Sequence, residues 1–374
     1  FYGNIELNST DFLSYLLQGA MGGTPMLGYD AESEYVAGGA LIWNTPLEGL
    51  RLSGTALTGK LMTRANFTGP VPADELASAA GVSRERLAAA LAELRQRGHE
   101  VVAEPGRGLR LVRPVRPDAT LIERGLDTRR IGRHVICFAE VGSTNDVAWD
   151  SLRQPEADGL VVLAERQRAG RGRLGRDWLS PAGANVLMSV LLCEAGAGGH
   201  HALTVASGLA VAEGVEAACG VRCGLKWPND VQLDGRKLAG VLVEARQPPG
   251  ARERAFVIGV GVNANAAPPD DAVDVPAACL ATTVGHPVER IDLTRAILRK
   301  LDAWTGELSE GRLEALHERW LARCEMLNTR VRVGFGGREH VGLVVDIDPT
   351  AGLVLRGDDG RNVHIPAAGA TLLP

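Results

Sequence analysis

Nine residues, Gly170-Arg171-Gly172-Arg173-Leu174-Gly175-Arg176-Asp177-Trp178, set three glycines among three arginines and close on a tryptophan. Glycine lets backbone N–H groups approach a ligand and adopt positive φ. Arginine offers planar, permanently charged forks that match carboxylate and phosphate. The combination predicts a mobile anion-binding loop, although a solvated turn could use the same residue types. The run also spells G-x-G-x-x-G, the dinucleotide fingerprint. Asp177 to Pro181 breaks the chain where that fingerprint needs a helix to begin, and arginines occupy positions where a Rossmann turn relies on helix N–H groups, so that reading is excluded.

Lysine is scarce. The chain has four, Lys60, Lys226, Lys237 and Lys300, and two of them fall in one short segment. Such a bias suggests that the compact ammonium is needed there. The segment reads Leu225-Lys226-Trp227-Pro228-Asn229-Asp230-Val231, a tight turn at Asp234-Gly235, then Lys237-Leu238-Ala239-Gly240. The Val231 and Val241 runs pair as a hairpin, which brings Lys226, Asp230 and Lys237 near one end. Salt-bridged hairpin decoration would explain the same pattern. Asn263 ends an apolar strand beginning at Phe256, as a ligand contact or as a strand-to-loop exit. Ser143-Thr144-Asn145 follows another strand and precedes a helix, where N-capping alone would account for the first two. Gln167 stands between a strand and the Gly/Arg loop. No Ser-His-Asp or Cys-His constellation appears, which fits a reaction without an enzyme nucleophile. The eight histidines, including His200-His201, read as structural.

These groups need a frame. Strands are expected at Val135–Phe138, Leu160–Ala164, Asn185–Leu192 and Phe256–Asn265, with an apolar helix at Leu203–Ala218 and amphipathic helices at Leu293–Leu308 and Leu313–Cys324. Arg330–Pro374 alternates apolar and polar residues between Gly turns and predicts a small module of about five strands. Upstream, Ala73–Ala80 reads as a helix, Gly81-Val82 as a turn and Ser83 as an N-cap. A second helix follows from Arg84 to Arg97, with Leu87, Leu91 and Leu94 on one face. Val101-Val102 and Leu109–Val112 flank Pro105–Gly108 as a hairpin. Helix, turn, capped helix and basic hairpin predict a winged helix-turn-helix, with Arg84, Arg86 and Arg107 on phosphates. A helical dimerisation module is the other use of such a pattern. Arg113–Arg130 is a Pro/Arg/Asp-rich linker. Residues 1–66 do not open on Met, hold short alternating pieces such as Leu50–Leu57, carry no signal-peptide pattern, and are expected to be dispensable.

The composition sets limits. A chain of 374 residues suggests two or three domains, and 45% hydrophobic with 23% charged residues is ordinary for a globular protein. A net charge of −5 leaves any DNA contact to a local patch. Six scattered cysteines without C-x-x-C imply reduced thiols, a cytoplasmic protein and no structural zinc or other resident metal. No apolar run is expected to cross a membrane.

Taken in order, Ser143-Thr144-Asn145, the Gly170–Trp178 loop, Lys226–Asp230 with Lys237–Gly240, and Gly259–Asn263 resemble the biotin–protein ligase family. With the winged helix and the C-terminal β module, the chain looks like the bifunctional members that also repress biotin genes. The resemblance covers about 67–374. It implies an α/β (α+β) fold: a winged helix-turn-helix over 67–115, a mixed-sheet ligase domain over 128–325 and an SH3-like β-barrel over 328–374, with 1–66 unassigned. It implies Mg·ATP and biotin as substrates, biotinyl-5′-AMP as intermediate, and a lysine of the biotin carboxyl carrier protein of acetyl-CoA carboxylase as acceptor. Ser143, Thr144, Asn145, Gln167, Arg171, Gly172 and Arg173 match the biotin pocket. Lys237 matches the contact to the biotin carboxylate and phosphate. Arg176, Trp178, Lys226, Asn229, Asp230 and Asn263 match the nucleotide side. Lys237, Arg173, Lys226 and Asp230 are the expected catalytic set, with Asp230 either accepting the lysine's proton or holding Mg²⁺. Trp178 would serve as lid or adenine stack. Ser83, Arg84, Arg86 and Arg107 would meet operator DNA of the biotin genes, in a ligand-dependent homodimer. A lipoate or octanoate ligase, a biotin-sensing DNA-binding protein, and a ligase with a vestigial winged helix are the alternatives.

Overall fold

The computed structural model describes residues 38–44, 50–57, 60–67, 70–79, 82–96, 98–111, 116–123, 126–154, 156–194, 196–247 and 254–373. The expected turn at Gly81 and all of residues 1–37 lie outside them. The chain divides into two compact units, Phe1–Asp127 and Thr128–Pro374.

In the first unit, β1 (Gly38–Asn44), β2 (Leu50–Leu57) and β3 (Lys60–Phe67) form an antiparallel meander in the segment left unassigned above. Helices α1 (Ala73–Ala79) and α2 (Arg84–Gln96) follow, then a hairpin of β4 (Val101–Glu104) and β5 (Gly108–Leu111). Ser83 Oγ accepts the Arg86 N–H at 3.3 Å, as an N-cap should. The buried face of α2 is Leu87, Ala90 and Leu94, with Leu91 only half-buried. The linker holds one element that sequence did not predict, α3 (Ala119–Glu123). Asp118 caps it by accepting the Leu121 N–H, and Leu121 and Ile122 are fully buried.

The second unit is built on a seven-stranded sheet in the order β6-β7-β8-β12-β11-β10-β9. Its strands are β6 (Val135–Phe138), β7 (Val161–Ala164), β8 (Val186–Leu192), β9 (Gly224–Lys226), β10 (Asp230–Leu233), β11 (Arg236–Arg246) and β12 (Ala255–Val262). Only the β6–β7 pair is parallel. Strand β8 is buried along its whole length, as expected for a Val/Leu/Met run in a sheet centre. Helix α4 (Thr144–Asp150) packs on β7, β8 and β12, and α5 (Gly199–Cys219) runs between the sheet and α7 (Arg290–Ser309). Helix α5 has 21 residues and a mean hydropathy of 1.3, so by length and composition it matches a membrane span, against expectation. Its most apolar window is 78% buried inside the protein, which identifies it as a core helix. Short helices α6 (Leu280–Val284) and α8 (Glu314–Leu321) complete the unit, followed by a five-stranded antiparallel sheet, β16-β15-β14-β13-β17. Those strands are β13 (Arg330–Phe335), β14 (Arg338–Asp348), β15 (Gly352–Arg356), β16 (Asn362–Ile365) and β17 (Thr371–Leu373).

Asp302 on α7 pins the start of this unit. Its two carboxylate oxygens accept the backbone N–H groups of Arg129, Arg130 and Ile131 at 2.8 to 2.9 Å. Asp302→Ala strands those donors, two of them part-buried, at a cost of about 1–3 kcal/mol. A urea midpoint unchanged from wild type would contradict this.

All six cysteines are free. Burial pushes the Cys219 thiol up to about 11 and Cys223 to about 12, which makes both inert at neutral pH.

Candidate active site

The sheet's register builds the floor of the site. Residues directly opposite one another in antiparallel strands share a face. One such row reads Lys226, Asp230, Gly240, Gly261 and Leu187 across β9, β10, β11, β12 and β8. The next reads Leu242, Gly259 and Ser189. Glycines therefore fall together where side chains would otherwise fill the face, and other groups occupy their space. A Cβ on Gly261 would lie 2.4 Å from the Trp178 ring, and one on Gly259 would lie 2.5 Å from Asn145 Oδ1. Trp178 thus lies flat over the sheet glycines. Gly261→Ala is expected to displace that ring and cost about 1–3 kcal/mol, the range for overpacking. An unchanged Tm with an unchanged near-UV spectrum would argue that the ring is free to move.

Lys237 reaches the same face through an irregularity. Spacing alone puts residues 237 and 240 on opposite faces of β11. The β10–β11 register shifts between Val231 and Gln232, so Lys237 pairs with Gln232 while Ala239 pairs with Val231. This bulge inserts the extra residue that turns Lys237 inward. Its Nζ stands 2.7 Å from Asp230 Oδ1 and 5.7 Å from the centre of the Trp178 ring. The backbone of Lys237 is held on its other edge by the 266–278 segment: its N–H donates to Pro276 O, and its C=O accepts from Ala278. Arg236 fastens that segment through Asp270 and Ala277 O.

The Gly/Arg loop closes into a tight turn. Gly172 N–H donates to Arg176 O, and Trp178 N–H donates to Gly170 O. Leu174 at its tip takes φ 58° and is 57% exposed, and Gly175 follows at φ 74°. A left-handed leucine is an uncommon conformation that only a constrained turn maintains. Arg171 makes a two-pronged pair with Asp146 at 2.7 and 2.8 Å. These bonds hold the Asp146 carboxyl below the ordinary aspartate range and raise Arg171 above its own. Arg173 donates to Ala367 O at 2.5 Å and Ala370 O at 3.1 Å, both beside the C-terminal sheet. Burial pushes its guanidinium down.

Ser143 sits at the N-cap of α4 with extended backbone, but its side chain makes no capping bond. Gln167 does that work, because its Oε1 accepts the Thr144 N–H at 2.7 Å. Capping therefore does not explain Ser143.

One cavity of about 300 Å³ collects most of the expected residues: Ser143, Thr144, Asn145, Gln167, Arg171, Gly172, Arg173, Arg176, Trp178, Asn229, Asp230, Lys237 and Asn263. Lys226 stands one strand beyond that lining, opposite Asp230. Its charge acts on Glu325, whose carboxyl burial pushes up. Ser83, Arg84, Arg86 and Arg107 belong to the first unit. There Arg84 pairs with Asp74, and Arg107 with Glu104. Sequence reasoning missed Ser189, Glu244, Asp146 and the glycines as side-chain seats. The G-V-G spacing at 259–261, two glycines on one face of an apolar strand, was the available signal for the last.

The Biotin/lipoate A/B protein ligase family model matches residues 137–263. The bifunctional ligase/repressor BirA of Bacillus subtilis is 30% identical over 295 residues, which span 78% of this chain and 90% of that protein. A biotin–[acetyl-CoA-carboxylase] ligase of Paracoccus denitrificans is 36% identical over 62% of this chain and 97% of its own length. A solved biotin protein ligase from Aquifex aeolicus, in complex with biotin and ATP, aligns with a TM-score of 0.57 at 24% identity over 64% of this chain and 99% of that one, which supports the fold. With a glycine-floored cavity between sheet and loop, and relatives covered over most of their length, the chain belongs to the biotin–protein ligases of the biotin/lipoate A/B protein ligase family.

Proposed function

We propose that the protein is a biotin–[acetyl-CoA-carboxylase] ligase. The observation that carries this is the single cavity in which Lys237 and three loop arginines meet Ser143, Thr144 and Gln167. Biotin's carboxylate and the phosphates of Mg·ATP repel one another, so cations must hold both in line. The carboxylate oxygen attacks the α-phosphorus, the bond to the β-phosphate oxygen breaks, and pyrophosphate leaves. Lys237 is seated for the carboxylate and α-phosphate. Arg176, Trp178, Asn229, Asp230 and Asn263 line the nucleotide side. A lysine amine of the carrier protein then attacks the acyl carbon and AMP departs. Acyl adenylates hydrolyse in water, so the Gly/Arg loop shields the intermediate. Pyrophosphate exchange into ATP tests the reading: it should depend on biotin. Exchange with lipoate or octanoate instead would move the chain to the other branch of the family.

A second reading concerns DNA. The helix pair, the Ser83 cap and the β4–β5 hairpin favour a winged helix-turn-helix over 67–115, followed by a ligase domain over 128–325 and an SH3-like barrel over 328–374. Arg84, Arg86 and Arg107 would meet phosphates, Arg84 and Arg107 once Asp74 and Glu104 let go, so affinity should fall with salt. Two copies in a ligand-dependent homodimer would face successive major grooves. If the adenylate tightens DNA binding, DNA tightens adenylate binding by the same factor. A gel shift on the chain's own biotin-gene promoter, with and without biotin and ATP, tests this. A ligand-independent, sequence-indifferent shift would leave a ligase alone. A truncation starting at Phe67 is expected to keep full exchange activity, and an inactive truncation would give residues 1–66 a role.

A further inference from the structure

One buried amide outside the cavity joins two of the segments that line it. Asn185 stands just before β8 and is 2% exposed. Its Nδ2 donates to Ser180 Oγ at 3.0 Å, and its Oδ1 accepts the backbone N–H groups of Asn265 and Ala266, both at 3.2 Å. Two backbone donors on one atom fix which end of the amide is oxygen. Ser180 lies two residues past Trp178, and Asn265 lies two residues past Asn263. Trp178 and Asn263 line the cavity, whereas Ser180, Asn185, Asn265 and Ala266 stand outside its lining.

The ground under this amide is firm. Strand β8, which it heads, is buried from end to end. The Asn185 carbonyl accepts from Arg290 at 3.5 Å, and Arg290 is paired with Glu165 at 2.6 Å. Glu165 precedes Gln167 by two residues, and its carbonyl accepts the Gly183 N–H. Asn265 is clasped from another side, since its own amide exchanges two hydrogen bonds with the Val288 backbone at 2.7 and 2.9 Å. The exit of the Gly/Arg loop and the exit of β12 therefore meet at one side chain, and neither can shift without breaking a bond to it. A strand head does not require an amide. Val186, Leu187 and Met188 beyond it are apolar and buried, and a buried amide persists only where its bonds offset its desolvation.

We propose that Asn185 is a positioning residue for adenylation: it braces the Gly/Arg loop against the 263–266 segment and so holds Trp178 and Asn263 at the separation in which the two substrates meet. The proposal rests on reading this cavity as the place where biotin and ATP react. Two reactants held by two segments are aligned only as well as the segments are aligned with each other, and a misplacement of about 1 Å can cost about 10²-fold in rate. The brace serves one half of the reaction. Before the carboxylate oxygen bonds to the α-phosphorus, two separate ligands must be kept in line. Once that bond has formed and pyrophosphate has left, one molecule spans both segments, and its own covalent bond does what the amide did. Attack of the carrier's lysine on the acyl carbon, with departure of AMP, then proceeds without the brace.

The test separates the two halves in the full chain. Asn185→Ala should slow pyrophosphate exchange about 10-fold or more at saturating biotin and ATP. The same protein, given synthetic biotinyl-5′-AMP, should pass biotin to the carrier protein within about 2-fold of the wild-type rate. Asn185→Asp should restore most of the exchange. A carboxylate accepts the same two N–H groups, and the Ser180 hydroxyl, which faces Pro181 O at 3.4 Å, can turn and donate to it. Ser180→Ala cuts only the arm to the Gly/Arg loop and should show the same split at about 3-fold or more. It decides the matter alone if Asn185→Ala does not fold. Equal losses in exchange and transfer overturn the proposal, since that is the mark of a merely structural role. An Asn185→Ala protein that exchanges like wild type overturns it too, as does an Asn185→Asp protein no better than Asn185→Ala. A wild type that neither exchanges pyrophosphate with biotin nor transfers biotin from the adenylate would instead refute the reading of the cavity, and the brace with it.

Discussion

Lys237→Ala is expected to slow adenylate formation by about 10²-fold or more, the scale of removing one preorganised charge contact. Two of the other cations in the cavity lining are held by partners outside the reacting groups. Arg171 is gripped by Asp146, and Arg173 is turned to two carbonyls. Lys237 instead sits on a strand, fixed on both edges, with its ammonium in the cavity. Its removal also leaves Asp230 beside the two anions that must approach, which adds repulsion to lost attraction. Lys237→Arg should restore little, because a longer planar fork cannot occupy the ammonium's place over Trp178. Pyrophosphate exchange at saturating biotin and ATP, with circular dichroism to confirm folding, measures it. A rate near wild type would reduce Lys237 to the ion pair it makes.

Arg173→Gly is expected to form the adenylate and let it escape, with free biotinyl-AMP appearing about 10-fold faster or more once the loop no longer shields the site. The guanidinium is the loop's tie to the carbonyls beside the C-terminal sheet. Glycine removes the tie and loosens a turn already strained at Leu174. Chemistry should survive, because Lys237 and the glycine floor belong to the sheet. Quenched-flow release of the intermediate decides this. Retention equal to wild type would place the shield elsewhere.

The order of elements was largely legible. Val135–Phe138 forms the strand its apolar run predicts, and Arg330 onward gives five strands. Short runs between turn residues carry enough period and punctuation for that. The α3 helix was not legible, because Leu121 and Ile122 are too few to show a period among prolines and arginines. In the site, residue types were readable but partnerships were not. Arg171 with Asp146, Glu244 with Asn145, and Trp178 over Gly261 join residues 25, 99 and 83 apart, and only sheet register and helix placement bring them together. The membrane-length apolarity of α5 has a packing cause: a helix covered by a sheet and another helix needs no polar face.

The bulge beside Lys237 has a consequence for anyone rebuilding this protein. Side chains on a strand alternate, so a charge there can be relocated only in steps of two, and the irregularity has spent one step already. Moving the lysine to 236 or 238, or trimming one residue from the Asp234-Gly235 turn, would aim the ammonium out of the cavity although composition and overall shape barely change. Loop length in this hairpin is thus a catalytic specification in its own right, and grafts or consensus redesigns that regularise the strand should be expected to fold well and do nothing.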